Sequence, residues 1–243
     1  MFWLLFFLLG WAQAADETHR LTYELQLDNQ HVGRRILVVK DIEGKFKRRV
    51  LEVWTEVNAQ TLGSRFTYKQ RLTGHVMGGP ASFHSVIKQS GRSKEIQGRR
   101  AGVGWQISIV EKGRARSWSL DSEEVDLSTV DLFNPDARTH LTRLKYARIF
   151  SAETGDILEG EIRPLGQSRL HIAGHNVDVQ GYSLQSENTQ ATFYFTGDGL
   201  LVKYETYLIG LAISGTLMKP PPPGRDEFPV ALGLGQVQES NLL

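Results

Sequence analysis

The sequence predicts a mainly-β single domain, built as a barrel or a sandwich. Three observations carry this. Apolar residues recur with period two in run after run, turn residues separate the runs, and no stretch keeps the long 3.6-residue period of a major helix. In the first run Leu21, Tyr23, Leu25 and Leu27 alternate with Thr22, Glu24 and Gln26, and Asp28-Asn29-Gln30 turns the chain into a second strand over 32–39. Gly33 in that strand marks a bulge or a strong bend, because glycine tolerates close backbone approach. A turn at 41–44 follows. Residues 46–57 then alternate with apolar groups on both faces, so their inward face is not legible.

Shorter strands are expected at 64–73, 82–89, 104–110 and 115–120, with glycine-bearing turns at 74–80, 98–102 and 113. The two helix candidates are 122–131 and 136–150, the second opened by Asn134-Pro135 with proline at an early helical position. Strand character resumes at 157–163, 168–172 and 177–185. A hairpin of 191–195 and 200–207 turns on Thr196-Gly197-Asp198-Gly199, and 208–218 is an apolar stretch interrupted by Gly210 and Gly215. With no internal repeat and no linker before residue 219, the chain divides into a leader at 1–14, one β-rich domain at 15–219 and a proline-containing tail at 220–243. Phe228-Pro229-Val230 is the part of the tail expected to dock.

The leader sets the compartment. Residues 1–14 are apolar and end in Ala12-Gln13-Ala14 before the polar Asp16-Glu17-Thr18, the pattern of a secretory signal with a small-x-small cleavage site. The run is too short to span a hydrocarbon core, which takes about 20 residues. It lacks Lys and Arg, which leaves a retained interfacial anchor as the alternative. An exported protein of the bacterial periplasm is expected. The chain has no cysteine, which excludes disulfides, thiolate catalysis and cysteine zinc sites. Formal net charge is +1, so the basic surplus of a nucleic-acid binder is missing. The basic runs at 45–49 and 92–100 read as solvated strand ends, with peripheral contact to anionic lipid as the other reading.

Chemistry-bearing motifs are sparse. His171, His175 and Asp178 form the densest metal-like group, but Ala173-Gly174 reads more simply as a hairpin turn that carries the histidines apart. The acids Asp121, Glu123, Glu124, Asp126, Asp131 and Asp136 lack the glycine and terminal glutamate of a calcium loop. No G-x-S-x-G elbow or dinucleotide fingerprint occurs. The expectation is therefore a protein without a catalytic group, metal or cofactor.

The strand aromatics remain. Most must pack the core, but a curved sheet rich in them can also line an apolar groove. Trp54, Phe66, Trp105, Trp118, Tyr182, Phe193 and Phe195 are the candidate ligand-binding residues.

Two segments carry a resemblance. Tyr23 to Leu27 with His31-Val32-Gly33, and the closing run through 174–184 and 191–205, resemble uncharacterised secreted bacterial envelope proteins assigned to domain-of-unknown-function families. Phe193-Tyr194-Phe195-Thr196 departs from their usual wording. Such families resemble the half-barrel superfamily of periplasmic lipoprotein carriers. The likeness implies a strongly curved antiparallel sheet, an open or incomplete barrel, with one or two short helices. It also implies a concave face that takes a lipid-like ligand. On this expectation a polar residue at Trp105 or Phe195 weakens ligand uptake without unfolding the chain. The alternatives are a structural or protein-interaction module of the envelope with a filled core, and a hydrolase with a polar cleft.

Overall fold

The computed structural model describes residues 17–42, 48–61, 64–76, 80–134, 139, 141–208 and 211–219. The leader at 1–14, the turn at 43–47, Asp136 and the tail at 220–243 lie outside the described residues.

Eight strands form an uninterrupted up-and-down meander: β1 (Glu17–Leu27), β2 (Gln30–Ile42), β3 (Arg48–Thr61), β4 (Ser64–Val76), β5 (Pro80–Gln89), β6 (Arg92–Ala101), β7 (Gly104–Glu111) and β8 (Arg114–Leu120). A connecting stretch holds the two-residue β9 (Leu127–Ser128), a 3-10 turn at Asp131–Phe133 and β10 (Tyr146–Phe150). A second meander follows: β11 (Ile157–Ile172), β12 (His175–Gln185), β13 (Gln190–Phe195), β14 (Leu201–Leu208) and β15 (Leu211–Leu217). All fifteen strands belong to one sheet, ordered β8-β7-β6-β5-β4-β3-β2-β1-β15-β14-β13-β12-β11-β10-β9. The pairing of β15 with β1, Tyr23 opposite Leu217 and Leu27 opposite Ile213, joins the two meanders.

Local chemistry explains the hairpins. Asp28 and Asn29 both take positive φ, 50° and 62°, as a two-residue turn of matching twist requires. Leu25 faces Gly33 while Gln26 faces His31, so the bulge expected near Gly33 is present. Gly33 is required there, because a Cβ would lie 1.9 Å from the Glu56 carbonyl oxygen. The face of β3 that the sequence left open resolves to its odd-numbered residues: Leu51, Val53, Val57 and Ala59 are buried.

The architecture corrects two expectations. The sheet is not curled into the open or incomplete barrel that was expected: it is one unclosed sheet whose end strands β8 and β9 are not paired with each other. Of the expected short helices little remains among the described residues: a 3-10 turn at Asp131–Phe133 and helical backbone at Thr139 and Leu141. Residues 146–150, expected to be helical, form β10 instead, with Tyr146 opposite Glu161 and Phe150 opposite Ile157. Their period is two: Ala147 and Ile149 are buried and Tyr146 is exposed. That alternation fits a half-buried strand, and pairing with β11 outweighs the weak helical signal.

The stretch between the meanders lies over the inner face of the first one. Phe150 packs on Phe83 of β5 with ring centroids 5.8 Å apart, and Phe133 meets Tyr23 of β1 at 6.2 Å. A Cβ on Gly74 of β4 would touch Val130, and one on Gly155 would touch Ile109 of β7. The Lys94 ammonium donates to the Thr154 carbonyl. Arg35 of β2 reaches Glu153 at 3.4 Å, across 118 residues of sequence, and both side chains are buried. This contact tethers the cover to the sheet. Glu153→Ala strands a buried guanidinium and is expected to cost about 3–5 kcal/mol, whereas replacing Arg35 and Glu153 together by methionines recovers most of the loss. Urea unfolding of the single and double variants measures both, and a double variant as weak as the single one contradicts the account.

Candidate functional site

The inner face is occupied by its own side chains. Of the seven aromatics expected to bind a ligand, Trp105, Tyr182, Phe193 and Phe195 are buried, with Phe195 fully enclosed. Tyr182 and Phe193 are cross-strand partners, and Tyr182 packs on Phe195 at 6.2 Å. Trp105 packs on Phe83 at 5.7 Å at the other end of the sheet. Phe66 and Trp118 are half-buried against the core, Trp118 beneath the Arg116 guanidinium at 5.5 Å. Trp54 sits half-buried on the opposite face, between Ile36 and Arg71. Tyr182, Phe193 and Phe195 therefore come together, Trp105 and Trp118 lie on neighbouring strands elsewhere, and Trp54 stands apart.

The interior space beside this cluster is small. A cavity of about 50 Å³ lies among Arg35, Phe133, Glu153, Phe193 and Tyr204. One water takes about 30 Å³ of the liquid, and small-molecule pockets run to about 300–1,000 Å³. The expectation of a concave face holding a lipid-like ligand is thus overturned: the sheet is open, and the face that was to hold the ligand is covered by the chain itself. Polar residues at Trp105 or Phe195 then act on stability, contrary to the expected loss of uptake alone. Phe195→Ser is expected to cost about 3–5 kcal/mol, as large-to-small aromatic changes do in a core. An unchanged thermal transition contradicts that packing role.

A chain of polar groups crosses the inner face, with one side chain from each of four strands. The Arg35 Nε donates to Thr55 Oγ1 at 2.9 Å, and Thr55 Oγ1 donates to Gln70 Oε1 at 3.3 Å. Gln70 Nε2 donates to Ser85 Oγ at 3.0 Å and to the Ala152 carbonyl at 3.4 Å. Glu153 receives Arg35 on one oxygen and the hydroxyls of Thr129 and Ser151 on the other. The guanidinium also lies 5.5 Å from the Phe133 ring centre and 5.4 Å from that of Tyr204.

Three tyrosines border the chain. Burial pushes the hydroxyls of Tyr23, Tyr68 and Tyr204 above the usual phenol range. Tyr23 donates to the Leu201 carbonyl at 2.8 Å, while the Tyr68 and Tyr204 hydroxyls have no partner among the described residues. Tyr23→Phe is expected to cost about 1 kcal/mol and Tyr204→Phe to be neutral or stabilising, since the latter removes an unsatisfied group. With folded pKa values raised above the unfolded value of about 10, the stabilisation from these phenols is complete below pH 10 and declines as pH rises beyond it. Melting temperature against pH checks this; a midpoint unchanged well above pH 10 contradicts it.

The larger concavity is on the opposite, outer face. A shallow groove of about 820 Å³ crosses β4 to β8. Two rows of polar side chains line it, set by strand register, with Phe83, Gly98, Ile107 and Trp118 at the positions between them. One runs Thr73, His84, Gln97, Ser108, Ser117 and the other His75, Ser82, Arg99, Gln106, Ser119. Each strand contributes two polar residues two apart. No carboxylate stands in either row. Sequence reasoning missed this surface, although the repeated i, i+2 polar pairs were its signal.

The remaining motifs resolve into structure. His171 and His175 sit on the β11–β12 hairpin, and Asp178 is held by Arg169 at 2.7 Å. Among the acids, Asp121 accepts the Glu123 and Glu124 amides at 2.8 and 3.0 Å, and Glu124 accepts the Asp121 amide at 2.9 Å. Asp126 accepts the Arg148 amide at 2.8 Å, and Asp131 accepts the Ser128 amide at 2.6 Å. Among the described residues no cluster of three or more metal-ligating side chains forms.

Comparison with known proteins finds a similar mainly-β fold. The crystal structure of a β-barrel-like protein of the domain of unknown function DUF1849, from Brucella abortus, superposes with a TM-score of 0.58 at 12% identity. The match covers 84% of this chain and 98% of that one, and it speaks to fold alone. Comparison with curated proteins finds no match. Residues 23–210 match the family model of DUF6134, a domain of unknown function, and the chain belongs to that family.

Proposed function

We propose that the protein is a structural or protein-interaction module of the bacterial cell envelope with a filled core, acting without catalysis. One observation carries this reading: residues 121–134 and 141–156 of the same chain cover the inner face, leaving an interior cavity of about 50 Å³. Function then falls to the outer surface and to the free edge. The edge strand β8 is exposed over most of its length, with unpaired backbone groups on one side. Arg114 and Arg116 keep that edge from pairing indiscriminately, as charged side chains do.

The leader supports export to the periplasm, and the basic runs support peripheral contact with anionic lipid.

Native mass spectrometry of protein purified gently from an exporting host, with lipid extraction of the same sample, tests the reading. The expected mass is that of the chain alone, shortened by residues 1–14. A stoichiometric apolar ligand overturns the filled-core reading, and an intact leader overturns cleavage. A photo-crosslinker at Ala115 on β8, used in that host, is expected to give one recurrent adduct. Its absence under all growth conditions argues against partner docking at this edge.

A further inference from the structure

We infer that the outer groove across β4 to β8 is a binding site for a polyhydroxylated saccharide chain. The argument begins with what the rest of the outer face does. Over β1 to β4 it carries charges of both signs, several of them paired: Lys40 with Glu52 at 2.7 Å, Lys69 with Glu56 at 3.1 Å, and His31 with Glu24 at 3.1 Å. Such mixed-sign pairing is ordinary for a solvated sheet face.

The groove differs in composition and in satisfaction. Its two rows hold four serines, a threonine, two glutamines, two histidines and a single arginine. Few of these groups bond to one another. Ser117 donates to Ser108 at 3.1 Å, Gln97 donates to Glu95 at 2.7 Å, and His84 lies 2.9 Å from the same carboxylate, which stands outside the rows. His75, Arg99 and Gln106 have no side-chain partner among the described residues and are exposed.

This chemistry selects a ligand class. Serine, threonine and glutamine both donate and accept, which matches sugar hydroxyls, themselves donors and acceptors. A protein partner is disfavoured, because the rows carry no exposed aromatic or aliphatic anchor of the kind that supplies interface energy. A nucleic acid is disfavoured by the single permanent cation. Arg99 is placed to take one acidic group on an otherwise uncharged chain. Five strands at about 4.8 Å spacing give a track of roughly 19 Å, suited to several rings in line. The volume of about 820 Å³ lies within the range of ligand sites.

The test is titration of the isotopically labelled full chain with two probes, an uncharged N-acetylglucosamine tetramer and a carboxylate-bearing galacturonate tetramer, followed by amide chemical shifts. Saturable shifts are expected on β4 to β8, including the side-chain amides of Gln97 and Gln106. The Gln97→Ala/Arg99→Ala/Gln106→Ala variant should bind about tenfold more weakly or worse, with an unchanged thermal transition because all three positions are exposed. Stronger binding of the galacturonate probe, lost in Arg99→Ala alone, identifies Arg99 as the reader of a carboxylate. Equal binding of both probes retains the site and removes that role from Arg99. The inference is overturned if neither tetramer shifts these residues at millimolar concentration, or if the shifts fall elsewhere and survive the triple variant. It stands apart from the filled-core reading: an apolar ligand found by mass spectrometry leaves it intact, and failure here leaves the core filled.

Discussion

Docking of the 151–156 loop onto the polar chain of β2 to β5 is the contact on which the remaining structure depends. A sheet of fifteen strands presents more apolar surface than a chain can leave in water, and the first meander has no second sheet laid over it by pairing. Residues 121–134 and 141–156 supply that layer. Their apolar groups alone would slide on the sheet, since burial is non-directional. Arg35, Thr55, Gln70 and Ser85 give the cover a fixed position, because each buried donor demands its own acceptor.

Aromatic rings also cover the sheet, on either face, where side chains are missing. Phe83 lies over Gly98, Tyr204 over Gly215 and Tyr194 over Gly181, each a cross-strand pair in which a Cβ on the glycine would meet the ring. The glycine lets the ring lie flat along the sheet, and the ring shields a backbone that has no side chain of its own. Tyr204 thereby reaches Tyr23 of β1 at 5.9 Å, across the junction between the two meanders.

Much of the strand pattern was legible in the sequence because it is local. Period two placed Leu21, Tyr23 and Leu25 inward, and Asp28-Asn29 and Gly33 announced the first turn and bulge. What was not legible depended on partners far away in sequence. Trp54 could face either side until the buried odd-numbered residues of β3 were known. Residues 146–150 read as helix because nothing nearby shows that β11 waits to pair with them. The cover could not be read at all, since Glu153 finds Arg35 across 118 residues. The outer groove escaped for a related reason: its rows form only when five strands align, although each strand carried a legible polar pair.

The union of β1 with β15 governs the order of folding. Hairpins within each meander can form as soon as their two strands exist, but β1 keeps one edge unsatisfied until the chain has been made through Leu217. The first meander likewise stays bare until residue 156 is available to cover it. Long-range closure of this kind slows folding, because the entropy of the intervening chain is lost before the contacts form. A nascent chain halted anywhere before Leu217 therefore presents an open β-edge, and its defence against self-association falls to chaperones or to speed of synthesis.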